Sequence, residues 1–172
     1  MARKDKHQVP WTRFATRAGA DGMDTVGFLP AWHAADTPGD ATEVPGSGWH
    51  PVEAFLSSPC LVLLGEPGSG KTTTFRQLVD RQRTRGQTVH EASLREFLDG
   101  RALCEELLNE PTLRDWLSGS HRLELFLDAL DEGLLNSRSL HRELLKFLKR
   151  LPHTRLSLRI SCRGAERPVH FG

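Results

Sequence analysis

The stretch that decides the fold of this chain is Gly65-Glu66-Pro67-Gly68-Ser69-Gly70-Lys71-Thr72. It fits the pattern Gly-x-x-x-x-Gly-Lys-Ser/Thr at every position. An apolar run over residues 60–64 precedes it, and a helix-compatible segment over residues 72–85 follows it. Strand, glycine-rich turn and helix in this order predict a loop whose backbone can wrap closely around an anion.

Such a loop binds phosphate through its backbone and through the helix that follows. We expect the amides from Gly68 to Thr73 to point at phosphate oxygens, at the positive end of that helix. The Lys71 ammonium would bridge the β- and γ-phosphates, and the Thr72 hydroxyl would bind magnesium. The predicted nucleotide-binding residues are Gly65, Glu66, Pro67, Gly68, Ser69, Gly70, Lys71, Thr72 and Thr73. A phosphate loop that binds nucleotide without appreciable hydrolysis fits the same residues.

The rest of the chain alternates between short apolar runs and helical periodicity. We predict strands over residues 60–64, 87–90, 123–127 and 156–161, and helices over 72–85, 93–98, 103–108, 112–117 and 139–148. Apolar runs of this length suit strands that are covered on both faces. The alternation predicts an α/β fold with a mostly parallel sheet and helical crossovers.

Carboxylates follow the strand over residues 123–127. Asp128 closes that strand, and the interval from Lys71 allows the two strands to be neighbours in the sheet. A carboxylate at this edge of an open α/β sheet lies where magnesium needs a ligand. Asp131 and Glu132 follow within one turn, where a carboxylate can orient or deprotonate an attacking water. Glu132 is the preferred candidate, with Asp131 as the alternative.

A basic residue, Arg163, follows the last predicted strand. If that strand lies beside the phosphate-loop strand, Arg163 reaches the same edge and could sense a γ-phosphate. An ordinary solvent-facing arginine fits the position equally well.

Composition narrows the functional classes. The 172 residues carry 23 Lys+Arg against 22 Asp+Glu, so no long-range field attracts nucleic acid or an acidic membrane. No apolar run approaches the roughly 20 residues that span a bilayer. The three cysteines are scattered and have no metal-binding spacing. We therefore expect a cytoplasmic protein that contacts no membrane and shows no clear nucleic-acid site.

Residues 1–50 differ from the remainder. They contain four prolines, many glycines and three of the four tryptophans. We predict an irregular segment over residues 1–50 that precedes a nucleotide-binding domain over residues 51–172.

Taken together, the chain resembles the NACHT-type signal-transducing P-loop ATPases of the STAND class. The resemblance covers about residues 50–170 and rests on three pieces: the loop already quoted, Leu125-Phe126-Leu127-Asp128-Ala129-Leu130-Asp131-Glu132, and Ile160-Ser161-Cys162-Arg163. The second piece is similar to the extended acidic motif of that family, and the third to its arginine-bearing sensor strand.

The resemblance implies a P-loop NTPase with three α/β/α layers that binds Mg-ATP. It implies that Lys71 and Thr72 hold phosphates and Mg²⁺, that Asp128 holds Mg²⁺, that Asp131 and Glu132 act on water, and that Arg163 senses the γ-phosphate. Family members are ATP-driven switches that oligomerise, and they continue into a helical lid and a sensor region. The sequence ends at Gly172, soon after the sensor strand, so a truncated or split member is expected.

Other functions fit the sequence less well. A GTPase would carry an Asn-Lys-x-Asp base-reading motif, which the sequence lacks. The stretch Leu117-Ser118-Gly119-Ser120 lies too close to Asp128 to be the signature of an ABC transporter ATPase. Two hypotheses remain: a switch that binds Mg-ATP and hydrolyses it slowly, and a catalytically weak nucleotide-binding scaffold or fragment that acts only with a partner chain. The expected partners are ATP or ADP, together with self-association or a partner chain that supplies lid and sensor.

Overall fold

A computed structural model of the chain describes residues 14–15, 50–65 and 67–163. Most of the segment over residues 1–50 lies outside the described residues. Within it, β1 (Phe14–Ala15) pairs antiparallel with β2 (His50–Pro51). A 3-10 turn over Val52–Phe55 then leads toward the main sheet.

The main sheet contains four parallel strands. They are β3 (Cys60–Leu64), β4 (Thr88–Ser93), β5 (Leu123–Asp128) and β6 (Leu156–Cys162), and they lie in the order β3-β6-β5-β4. Parallel neighbours need crossover connections, which helices supply here. All four carboxyl ends therefore meet at one edge of the sheet, where ligands of open α/β folds bind.

Five helices connect or flank these strands in the described part of the chain. They are α1 (Lys71–Thr84), α2 (Gly100–Asn109), α3 (Pro111–Ser118), α4 (Leu130–Asn136) and α5 (Leu140–Lys149). Asp99 caps α2 by accepting a hydrogen bond from the Arg101 amide, and Pro111 occupies the first turn of α3, where no amide donor is needed. No helix in these ranges is long and apolar enough to span a bilayer.

Two buried clusters separate the sheet from its helices. On one face, α1 contributes Phe75, Leu78 and Val79, which pack with Val89 and Phe126 of the sheet. On the other face a larger, leucine-rich cluster joins α2, α3 and α5 to the sheet. The three-layer α/β/α arrangement predicted from the sequence is therefore confirmed.

The helix predicted over residues 93–98 is wrong. Strand β4 continues through Ser93, which lies opposite Asp128 in the ladder with β5, and only a 3-10 turn over Leu94–Glu96 follows. Leu94 is completely buried in the larger core. Pairing with β5 and burial of Leu94 thus override the local helical pattern. Helix α4, in turn, was not predicted.

The interval from Lys71 to Asp128 allowed their two strands to be neighbours, but β3 and β5 are not adjacent in the sheet. Strand β6 lies between them and pairs with both β3 and β5. Strand β6 is central and is therefore buried on both faces. Its polar side chains Arg159 and Ser161 can be buried because both form hydrogen bonds inside the domain. Arg163 was predicted to reach the edge that carries the loop only if its strand lies beside the loop strand. Strand β6 does pair with β3, so this condition is met.

Candidate functional site

The site lies at the carboxyl edge of the sheet, in a cavity of about 320 Å³. The loop before α1, the start of α1 and α4, and the ends of β5 and β6 supply its walls. The lining residues are Pro67, Gly68, Gly70, Lys71, Thr72, Thr73, Asp128, Ala129, Asp131, Glu132, Ser161 and Arg163. The cavity therefore gathers the predicted catalytic and metal residues with much of the predicted loop.

The loop adopts a backbone that requires glycine at two points. Gly68 and Gly70 have φ values of 76° and 86°, in the left-handed region that side chains disfavour. The Gly65 amide donates to the Cys162 carbonyl at 3.3 Å, which ties the start of the loop to β6. The Thr74 amide donates to the Gly70 carbonyl at 2.9 Å, so α1 begins directly from the loop. Glu66 lies outside the described residues.

The positive end of α1 borders the cavity. This helix is 14 residues long and starts at Lys71, so its unpaired amides favour an anion. The Lys71 ammonium donates a hydrogen bond to the Gly65 carbonyl, which keeps it over the loop. A positive side chain and a helix N-terminus thus face the same cavity.

A hydroxyl and a carboxylate meet beside the positive end of α1. The Thr72 hydroxyl donates to Oδ2 of Asp128 at 2.8 Å, although the two residues belong to different elements. A hydroxyl and a carboxylate are ligands that Mg²⁺ takes in proteins, usually with substrate phosphates and waters. The residues present therefore fit a magnesium ion. Residues 14–15, 50–65 and 67–163 contain no cluster of three or more His, Cys, Asp or Glu side chains that could hold a metal ion.

Arg163 joins the two carboxylates predicted to act on water. Its Nε lies 2.7 Å from Oδ2 of Asp131, and its amide donates to Oδ1 of Asp131 at 3.2 Å. Its Nη2 lies 3.4 Å from Oε1 of Glu132. Asp131 is 2% exposed, whereas Glu132 is only partly buried. Arg163 thus lines the cavity and bridges both carboxylates.

The turn between β5 and α4 orients these carboxylates. Ala129 has φ 59°, the sole positive φ outside glycine in the described ranges, and α4 begins at the next residue. The Ala129 amide donates to the Ser161 hydroxyl at 2.9 Å, and this hydroxyl in turn donates to Oδ1 of Asp128. Sequence reasoning placed Ser161 on the sensor strand and gave it no role. The sequence did offer one signal for such a role: Ser161 lies two positions from both Arg159 and Arg163, so the three side chains share one face of the strand.

A second cavity, of about 310 Å³, adjoins the first and shares Thr72 and Asp128 with it. It lies against β4, between α1 and α2, and was not predicted. His90 lines it, and burial lowers the pKa of this imidazole.

Comparison with known proteins decides the family. A family model described as an AAA domain matches residues 56–161, which contain the loop, β3, β4, β5 and all but the last residue of β6. The chain belongs to this AAA domain family. AAA domains of this kind are P-loop NTPases and generally bind nucleotide with Mg²⁺, so the broader class predicted from the sequence is confirmed, and the NACHT subtype stays a prediction. The search of curated proteins and the search of solved structures each returned no match to this AAA domain.

Proposed function

We propose that this AAA domain is a NACHT-type switch that binds Mg-ATP and hydrolyses it slowly. One observation supports this above the others: a single cavity brings together the Lys71 loop, the Thr72–Asp128 pair and the Arg163-bridged carboxylates. These are the groups that phosphoryl transfer to water needs: a positive cradle, a metal site and a carboxylate.

The loop and Lys71 would hold the β- and γ-phosphates, with Thr72 and Asp128 holding Mg²⁺. When bound, the ion would neutralise charge that develops between these phosphates. The neighbouring hydroxyls keep the Asp128 carboxylate turned toward Thr72.

Glu132 is the better candidate for the group that orients or deprotonates water. Both oxygens of Asp131 are engaged by Arg163, through its amide and its Nε. Glu132 has one longer contact, at 3.4 Å, and is more exposed. Its carboxylate can therefore turn toward a water without losing a short ion pair.

Arg163 would link this carboxylate to the γ-phosphate. Its side chain is 41% exposed and holds Glu132 through one terminal nitrogen. A γ-phosphate in the cavity would compete for that nitrogen, because phosphate binds guanidinium strongly. ATP would thus free Glu132, whereas ADP would leave it paired, which gives the two nucleotides different effects on α4.

Nucleotide binding tests the core of the proposal. Mg-ATP at 100 times its dissociation constant should stabilise the domain by about 2.7 kcal/mol in thermal unfolding. Lys71→Ala should weaken ATP binding about 10- to 150-fold, the cost of losing a charge-assisted hydrogen bond. Lys149→Ala, at the exposed end of α5, is the matched control and should bind like wild type. Equal affinity in the Lys71 and Lys149 variants would refute the phosphate-loop assignment.

The rate of ATP hydrolysis tests the proposed role of Glu132. Glu132→Gln should keep ATP affinity and lose about 100-fold or more of the turnover rate. Asp131→Asn is the comparison, and a larger loss there would transfer the role to Asp131. Turnover per chain that rises with protein concentration would indicate self-association or a group supplied by a neighbour.

A nucleotide-binding scaffold is the second candidate. It is favoured by the ion pairs that Arg163 makes with both carboxylates, since these neutralise the groups meant to act on water. Retained ATP binding with zero turnover at all protein concentrations would establish it.

A further inference from the structure

Both carboxylate oxygens of Asp128 are held by hydroxyl groups. Thr72 donates to Oδ2 at 2.8 Å, and Ser161 donates to Oδ1. Ser161 is 1% exposed and projects from β6, the strand between the loop strand and that of Asp128. Its hydroxyl hydrogen is directed at Asp128, which fixes the rotation of that carboxylate.

The same hydroxyl accepts the Ala129 amide at 2.9 Å. Ala129 is in the left-handed region, which is unfavourable for a residue other than glycine. A backbone of this kind persists only where its surroundings hold it. The Ser161 contact satisfies an amide that the unusual turn buries, and the turn starts α4, which carries Asp131 and Glu132.

We propose that Ser161 is a positioning residue that aims Asp128 at the metal and fixes the turn leading to Glu132. The inference rests on the proposed function. It differs from a packing role, because a hydroxyl that donates to one neighbour and accepts from the other is needed here, and a group of equal volume without those bonds would not serve. Groups that orient metal ligands typically contribute 10- to 100-fold to metal affinity.

The test measures metal binding directly, with Mn²⁺ as a paramagnetic probe in the presence of ATP. Electron paramagnetic resonance of free Mn²⁺ gives the metal affinity, and fluorescent ATP in EDTA gives the metal-free nucleotide affinity. Ser161→Ala should weaken Mn²⁺ about 10- to 100-fold and leave metal-free ATP affinity within about threefold of wild type, because the loop and Lys71 are untouched. Ser161→Thr, which keeps the hydroxyl, should restore most of the loss. Ser157→Ala is the matched control, since Ser157 is buried on the same face of β6 but far from the edge.

Several results would overturn the inference. They are an unchanged Mn²⁺ affinity in Ser161→Ala, an equal loss of metal-free and metal-bound affinity, or no recovery in a folded Ser161→Thr. If Ser161→Ala does not fold, Ser161→Cys keeps the volume with a weaker donor and should still lose several-fold in Mn²⁺ affinity. Wild-type protein that binds no ATP, with or without metal, refutes the proposed function and this inference together. Normal ATP binding that depends on Lys71, with no effect at Ser161, refutes this inference alone.

Discussion

Arg159→Met should destabilise the domain more than any surface substitution. Arg159 is 0% exposed in the centre of the sheet, and its Nη2 lies 3.1 Å from Oε2 of Glu124. Its guanidinium also donates to the carbonyls of Leu56 at 2.6 Å, Ser58 at 2.8 Å and Leu158 at 3.0 Å. Burial lowers the pKa of the guanidinium, and the Glu124 carboxylate opposes that shift.

Methionine would replace much of the volume of Arg159 but none of these bonds. Removing one partner of a buried pair costs about 3–5 kcal/mol, because the other charge stays buried without compensation. We expect about 4 kcal/mol, which is a large part of the roughly 5–15 kcal/mol that stabilises a domain. With a urea dependence of about 2 kcal/mol per molar, the unfolding midpoint should fall by about 2 M.

A double-mutant cycle with Glu124→Leu separates the ion pair from the backbone contacts. Arg159→Met combined with Glu124→Leu removes both charges, so it should be at least about 2 kcal/mol more stable than the sum of the single changes predicts. Arg142→Met, at an exposed ion pair on α5, should cost less than about 0.5 kcal/mol. A loss of less than about 1 kcal/mol in the free energy of unfolding for Arg159→Met would refute the proposed role of the buried pair. So would a double variant whose loss equals the sum of the losses in the two single variants.

Three further predictions concern the helices. Gly133→Ala should cost about 1–3 kcal/mol in urea unfolding, since a Cβ there would lie 2.8 Å from the Leu94 carbonyl oxygen. Leu144→Ala should cost about 2–5 kcal/mol, because Leu144 is buried in the larger core. The pKa of Asp99 is lowered, chiefly by the hydrogen bond from the Arg101 amide. The stabilisation from Asp99 is therefore complete above the unfolded pKa of about 3.9 and is lost as pH falls through the lower folded value, so the melting-temperature difference between wild type and Asp99→Ala should shrink below about pH 4.

Sequence reasoning located the loop and most of the strands, and it selected residues that line one cavity, because the signals for them are local. The loop pattern spans consecutive residues, and the carboxylates follow a strand directly. It missed features that depend on distant partners. Arg159 looks like a surface residue until Leu56 and Ser58, more than 100 positions away, supply acceptors. The left-handed turn at Ala129 likewise depends on a hydroxyl that another strand provides.

The place of β6 also has a consequence for misfolding. Side chains alternate between the two faces of a strand, so a slip of β6 by one residue would turn Ser161 and Arg163 away from the cavity while Leu158 and Ile160 took their side. Such a slipped chain would expose Arg159 to a leucine-rich environment that offers no counter-charge. The buried arginine thus raises the free energy of the misaligned sheet, and this penalty against the wrong register does not depend on nucleotide.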